Sequence, residues 1–322
     1  MTETTEKYQE KDHHTHILEL PDTYIGSSIE EEKDLRIFEN GKFVKKTIKW
    51  VPGLFKIFDE IIVNAVDNDT RTRRLKENNS RKPSNEVMSK LEVNINKETG
   101  VISVKNNGEG IEVNKINTEK SKNIYPVELI FGKLLTSENF KDNKEKKVTG
   151  GKNGYGAKLT NIFSEEFTVE TVDKKRQKLY KQTWKNNMFK KGKPEISDYK
   201  EEPYTCITFK PDYKRFKLEG LTDDFYNLLI KRVYDTVFWF SGNMKIEMKT
   251  ELKKSKNHTQ VYLNGEEISC NLEKYISYFT DQEIVSSEVI LESFNRWEVG
   301  VMLSPNYKFM QNSLVNGVST IR

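Results

Sequence analysis

The sequence predicts an α+β chain of two amphipathic helices and a set of meandering strands, and three observations carry the reading of the chain. A helical period runs from residue 54 to about 67 and again over 221–240. Alternating runs at 91–96, 101–105, 167–172, 179–184 and 206–209 read as strands. Between these groups lies Thr149-Gly150-Gly151-Lys152-Asn153-Gly154-Tyr155-Gly156-Ala157-Lys158, with an apolar run from Leu159 to Phe163 directly behind it. A surface hairpin accounts for one or two glycines and badly for four. A loop whose amide N–H groups converge, followed by a helix start, accounts for all of them and is how a chain cradles phosphates. Gly151 to Gly156 has the interval of a Walker A loop, but Ala157-Lys158 stands where that loop needs Lys followed by Ser or Thr.

The 322 residues allow one large domain and part or all of a second. Lys+Arg 53 against Asp+Glu 49 is nearly balanced, so net charge alone announces no nucleic-acid binder. No apolar run approaches the length of a membrane span, and the start of the chain is polar with no leader segment. Cys206 and Cys270 lie far apart in strand-like surroundings and read as small core residues in a reducing compartment.

Taken in order, residues 1–20 show no clear period. His13, His14 and His16 lack an accompanying Cys or carboxylate cluster, so a solvated arm is expected rather than a metal site. Residues 21–26 form a turn and a short extended piece. Pro52-Gly53 opens the first helix. Leu54, Phe58, Ile61, Ile62 and Ala65 gather on one side of its wheel, and Glu60, Asn64 and Asp67 form a polar edge one turn apart. Ile57 and Val63 flank that edge, which makes it a narrow polar strip in apolar surroundings rather than a wet face. A carboxylate and an amide so spaced can serve one ligand, the carboxylate taking a proton from water and the amide oxygen holding a hard cation.

The strands at 91–96 and 101–105 are joined at Thr99-Gly100 as a hairpin, and Asn106-Asn107-Gly108-Glu109-Gly110 follows. Its two glycines would let a flat ligand approach the backbone. Residues 126–135 are a helix by period, and the charged loop at 140–148 is placed to act as a lid. Past Gly242, residues 245–251 and 260–263 read as strands, 272–279 as a short helix, and 285–292, 296–304 and 313–318 as strands. A domain boundary is expected near Gly242. The last strand stops at Arg322 without a turn, as if cut inside a domain.

Glu60 with Asn64, Asn106 to Gly110, and Gly150 to Lys158 occur in the order of the three nucleotide boxes of the GHKL ATPases, which include gyrase-type topoisomerases, histidine kinases and ATP-dependent chaperones. The wording is closer still to one branch. Leu20-Pro21-Asp22-Thr23-Tyr24-Ile25-Gly26-Ser27, Val51-Pro52-Gly53-Leu54-Phe55-Lys56-Ile57-Phe58-Asp59-Glu60, Gly132-Lys133-Leu134-Leu135-Thr136-Ser137, Gln182-Thr183-Trp184 and Arg296-Trp297-Glu298-Val299 resemble the ATPase region of eukaryotic-type DNA topoisomerase II, and the likeness covers nearly the whole chain.

That resemblance implies a GHKL (Bergerat) two-layer α/β sandwich with a mixed sheet over residues 1–243, and a partial transducer domain over 244–322. It implies ATP and Mg²⁺ as ligands, Glu60 as general base for hydrolysis, Asn64 holding Mg²⁺ and Asn106 at the adenine. Ser137, Glu138 and Asn139 would lie along ribose and phosphates. Gly151, Lys152, Asn153, Gly154, Tyr155, Gly156, Ala157 and Lys158 would wrap the phosphates. Tyr8 matches an aromatic that enters the partner subunit's pocket. The implied partners are DNA and a second copy of the chain, with no membrane, in the nucleus or at a cytoplasmic viral replication site. Chaperone or mismatch-repair ATPases, and a nucleotide-binding fragment with little turnover, are the alternatives.

Two departures stand out: Glu138 replaces a second serine of the family and Lys152 an arginine, which keeps the charge and loses the guanidinium fork. The family's Gln-Thr-Lys loop is expected beyond Arg322, which implies slow turnover from this chain.

Overall fold

A computed structural model describes residues 12–77, 87–134, 154–242, 259–269, 271–280, 289–294, 297–304, 309–315 and 317–320. The first element, α1 (His13–Glu19), corrects the expectation of a solvated arm at its inner end. Asp12 caps it, its Oδ1 accepting the N–H groups of His14 and Thr15 at 3.0 and 3.2 Å. Ile17 is fully buried. The histidines hid the period because each packs by its ring, His14 on Phe189 and His16 on Tyr24.

Strands β1 (Glu31–Glu39) and β2 (Lys42–Trp50) form a separate antiparallel hairpin to which sequence reasoning assigned no element. Its two-residue turn, Asn40-Gly41, has positive φ at both positions, the signature of a twisted hairpin turn. The signal was masked by charge on the outer face, since Ile37, Phe43 and Ile48 alone are buried along its eighteen residues.

Helix α2 (Pro52–Glu77) begins where Pro52 predicts and runs past Asp67. Leu54, Ile57, Phe58, Ile61, Ile62, Ala65 and Val66 are at most 2% exposed. Burial of such side chains is worth about 1.5–3 kcal/mol each, against propensity differences below about 1 kcal/mol, so packing decides the helix. In the polar run the Thr70 and Thr72 hydroxyls donate to the carbonyls of Val66 and Asn68 one turn back.

The remaining elements are β3 (Lys90–Ile95), β4 (Ile102–Asn107), α3 (Pro126–Gly132), α4 (Gly156–Ile162), β5 (Ser164–Asp173), β6 (Lys178–Lys185), β7 (Lys190–Lys191), β8 (Glu195–Asp198), β9 (Tyr204–Pro211) and α5 (Asp223–Gly242), then β10 (Gln260–Leu263), β11 (Glu266–Ile268), α6 (Leu272–Ser277), β12 (Ile290–Phe294), β13 (Trp297–Val301), β14 (Leu314–Val315) and β15 (Val318–Ser319). The main sheet has the order β11-β10-β3-β4-β9-β5-β6-β7, with β8 also paired to β6. It is mixed, because β10 runs parallel to β3 while the other pairings are antiparallel.

Register sorts its two faces. Paired residues point the same way, so Ile95, Ile102, Phe209, Phe167 and Trp184 form one row, and Val93, Val104, Ile207, Val169 and Gln182 the next. These rows join the apolar stripes of α2, α4 and α5 in one core. The opposite face carries Glu92, Lys105, Cys206, Glu170 and Lys181 in a single row. Cys206 is therefore a partly buried residue of the outward face and not the core residue expected; Cys270 lies outside the described residues.

The boundary expected near Gly242 adjoins residues 243–258, outside the described ones, and the main sheet continues beyond it through β10 and β11. The strand expected over 313–318 is instead two short strands turned back at Gly317, where φ is +74°. Among the described residues no helix is long and apolar enough to cross a membrane.

Candidate active site

The site assembles where α2 crosses α4 under the end of the sheet. On α2, Glu60, Asn64 and Asp67 are partly buried, while Ile57, Ile61, Ile62 and Val63 around them are buried. The polar strip is thus embedded as the flanking residues predicted.

The Glu60 carboxylate is held from two sides. Its Oε1 lies 2.5 Å from the Lys56 ammonium one turn earlier. Such a partly exposed pair contributes at most about 1 kcal/mol to stability, so its consequence is orientation. Its Oε2 points at Gly156, the first residue of α4, where a Cβ would come within 2.0 Å of it. One turn further along α4, the Thr160 hydroxyl donates to the Ile57 carbonyl at 2.8 Å, fixing α4 against α2.

This contact makes a prediction. Gly156→Ala should still fold, since the group in the way of its methyl is the end of the flexible Glu60 side chain rather than backbone. It should also push the Glu60 carboxylate out of place and cut hydrolysis by about tenfold or more. A variant of unchanged melting temperature and unchanged turnover would show that the contact is idle.

The glycine stretch is described from Gly154 onward. Gly154 has φ +66°, a conformation that favours glycine, and turns the chain into α4. Lys158 is 2% exposed, and its Nζ donates to the Gly154 carbonyl at 2.5 Å, so the side chain curls back toward the bend. Burial pushes its pKa down to about 8. The Tyr155 ring packs near Tyr24 and His13, which ties the bend to α1.

One step beyond the apolar rows of the sheet stands a polar one, Asn106, Thr205 and Thr171, on the same helix-facing side. Asn106 is buried, with Nδ2 donating to the Asn107 carbonyl at 3.0 Å. Thr171 accepts the Ile111 N–H at 3.0 Å and shares a 2.8 Å hydrogen bond with the Thr205 hydroxyl. Sequence reasoning missed both threonines. Their signal is a hydroxyl where the strand alternation calls for another Val or Ile.

The neighbouring Asn107 points to the other face and ties the end of β4 to the start of β3, its Oδ1 accepting the N–H groups of Ser89 and Lys90. The expectation for Gly110 changes as well. A Cβ on Gly110 would meet the Val172 carbonyl oxygen at 1.9 Å, so the close approach there is to the protein's own strand and not to a ligand.

Ser137, Glu138, Asn139, Gly151, Lys152, Asn153, the loop at 140–148 and Tyr8 lie outside the described residues. The described ones comprise a held carboxylate seated against Gly156, an amide one turn along α2, a buried lysine on α4 and, on the helix-facing side of the sheet, a row of one amide and two hydroxyls. That set can accept a proton from water, meet an anion and recognise a polar flat edge. Among the described residues no group of three or more His, Cys, Asp or Glu could hold a metal.

Comparisons with known proteins fall on the same segments. A model of the histidine kinase-, DNA gyrase B- and HSP90-like ATPases matches residues 51–215, which hold α2, the polar row of the sheet and the glycine stretch. The chain is 40% identical over 331 residues to DNA topoisomerase 2 of Penicillium chrysogenum, covering 99% of this chain and 19% of that protein. It is 41% identical over 326 residues to DNA topoisomerase 2 of Acanthamoeba polyphaga mimivirus, covering 98% and 23%. The chain thus spans about a fifth of the length of these curated relatives. Among solved structures, the ATPase region of Saccharomyces cerevisiae topoisomerase II superposes with a TM-score of 0.80 at 40% identity, over 98% of this chain and 76% of that one. The ATPase and transducer domains of DNA topoisomerase II from Balamuthia mandrillaris give 0.82 at 36% identity, over 99% and 74%.

Proposed function

Because this chain belongs to the histidine kinase-, DNA gyrase B- and HSP90-like ATPases and, among them, to the ATPase regions of type II topoisomerases, we propose that it is the ATP-operated gate of an enzyme that passes one DNA duplex through another. The observation that carries this reading is the Glu60 carboxylate, held by Lys56 and seated against the glycine bend at Gly156.

In this reading Glu60 accepts a proton from the attacking water. Lys158, curled toward the bend, turns to the phosphates, and the backbone from Gly151 to Ala157 wraps them. Asn106 faces the adenine with Thr171 and Thr205 beside it, while Ser137, Glu138 and Asn139 line ribose and phosphate. The donor set suits Mg²⁺. That ion keeps several waters and is bound through phosphates and one or two protein oxygens rather than by a protein cage, and Asn64 offers such an oxygen one turn from Glu60. When bound it would neutralise phosphate charge.

The division into an ATP-binding part and the start of a transducer belongs to the same proposal. Since β10 and β11 extend the main sheet, the division that suits the fold falls after Ile268. A reading as chaperone or mismatch-repair ATPase has no observation in its favour, because the relatives and solved neighbours above are topoisomerases.

Gate closure is tested by light scattering. A non-hydrolysable ATP analogue with Mg²⁺ should convert the chain from monomer to dimer, and Tyr8→Ala should weaken that dimer about tenfold. A chain that stays monomeric at saturating nucleotide would refute the gate.

A further inference from the structure

Behind the site, one buried guanidinium joins three elements. Arg232 of α5 is 3% exposed. Its Nε donates to Asp59 Oδ1 at 2.6 Å, its Nη1 to the Thr236 hydroxyl at 2.8 Å and its Nη2 to the Gly317 carbonyl at 2.9 Å. Asp59 is the residue before Glu60. About 100° of helical rotation separates the two, so Glu60 faces α4 while Asp59 faces α5.

Gly317 is the turn of the β14–β15 hairpin and packs on α2 as well. A Cβ there would come 2.8 Å from Val66 Cγ1 and 3.7 Å from Trp239 of α5. Asp59 and Val66 are seven residues apart and share one face of α2. That helix is therefore clamped between α4 on the side of Glu60 and the α5–hairpin unit on the side of Asp59.

The plain alternative is that Arg232 merely stabilises the fold. Buried ion pairs are weak evidence for stability, since apolar replacements often do as well, whereas breaking one leaves an uncompensated charge. Here the pair spends its third donor on a carbonyl of the hairpin turn, more than 80 positions along the chain from Arg232. That third donor ties the hairpin turn to the same guanidinium that holds Asp59.

The geometry points to Arg232 as a positioning residue: through Asp59 it sets the rotation of α2, and so the Glu60 carboxylate, according to how the β14–β15 hairpin is docked. Docking of the hairpin and the competence of the base are then two readouts of one contact. The inference rests on Glu60 acting as the base.

The test uses Asp59→Asn, which keeps shape and loses charge, and Arg232→Lys, which keeps charge and loses the fork. Leu229→Ala, a buried α5 residue outside the network, shows what destabilisation alone does. Single-turnover ATP hydrolysis and nucleotide Kd are measured well below each variant's Tm, with hydrogen exchange followed at residues 317–320. Asp59→Asn and Arg232→Lys should lose about tenfold in hydrolysis with Kd within about threefold. Nucleotide should protect the hairpin amides in the parent and in Leu229→Ala, but not in the two network variants. Should Arg232→Lys fail to fold, Asp59→Asn carries the test alone.

Hydrolysis that falls equally in Leu229→Ala, or hairpin protection that survives in Asp59→Asn, would reduce Arg232 to a structural residue. A Glu60→Gln chain that turns over like the parent would take down the reading of Glu60, and this one with it.

Discussion

Glu60→Gln is expected to lower ATP hydrolysis by about two to three orders of magnitude while nucleotide Kd stays within about threefold. A positioned general base contributes typically 10²–10⁴-fold, and the lower part of that range corresponds to about 3–4 kcal/mol of barrier. Glutamine keeps the side chain's length and fits the same space beside Gly156, so binding survives while the proton acceptor is lost. Its loss of charge also releases the Lys56 ammonium, which now lies 2.5 Å from Oε1. Single-turnover hydrolysis and calorimetric titration with an ATP analogue separate the two effects. Parent-level hydrolysis in Glu60→Gln would remove the base from the mechanism. A Kd weakened as much as the rate would make Glu60 a binding residue instead.

The second large effect belongs to Lys158. Its pKa stands at about 8 in the folded chain, against an ordinary 10.5, and burial is the cause. Between those values the unfolded chain holds more protons than the folded one, so stability rises with pH across that window. Below pH 8 both states carry the charge, and the fold bears the whole desolvation cost of about 3 kcal/mol at 1.36 kcal/mol per pH unit. Lys158→Met is therefore expected to stabilise the nucleotide-free chain by about 2–3 kcal/mol at pH 7, with the advantage shrinking as pH rises from 8 toward 10.5.

The same substitution should weaken nucleotide binding by about 10²-fold, because a charge-assisted contact between the lysine and the triphosphate is lost. Binding to the parent should take up protons above pH 8 and weaken there, and Lys158→Met should abolish that dependence. Thermal melts from pH 7 to 10 and titrations in buffers of different ionisation enthalpy measure both. A lower melting temperature for Lys158→Met at pH 7 would show that burial of this charge carries no net cost in the folded chain.

What could be read ahead depended on how local each signal was. The α2 stripe, the 3.6-residue spacing of Glu60, Asn64 and Asp67, and the alternation that marks β3, β4, β5, β6 and β9 are properties of neighbouring residues, and they survive folding because burial rewards the pattern already present. Where polar residues served unusual packing, the reading failed. The histidines of α1 concealed a helix, and the charged faces of β1 and β2 concealed a hairpin whose Asn40-Gly41 turn was there to be seen. Thr171 and Thr205 looked like ordinary strand residues until register placed them beside Asn106.

The sequence by itself determined an α+β chain, a polar strip on its best helix, a glycine bend ahead of a helix start, and through its motifs the ATPase family to which it belongs. Only the tertiary structure decided which way those groups face. Glu60 meets Gly156 nearly a hundred residues away, Lys158 turns back on Gly154, and Arg232 gathers Asp59 and Gly317 around one guanidinium. The reason is physical. Spacing along a chain sets which side of an element a residue lies on, but what it meets there, and how much water is left around it, depends on elements brought in from elsewhere by the burial of the common core.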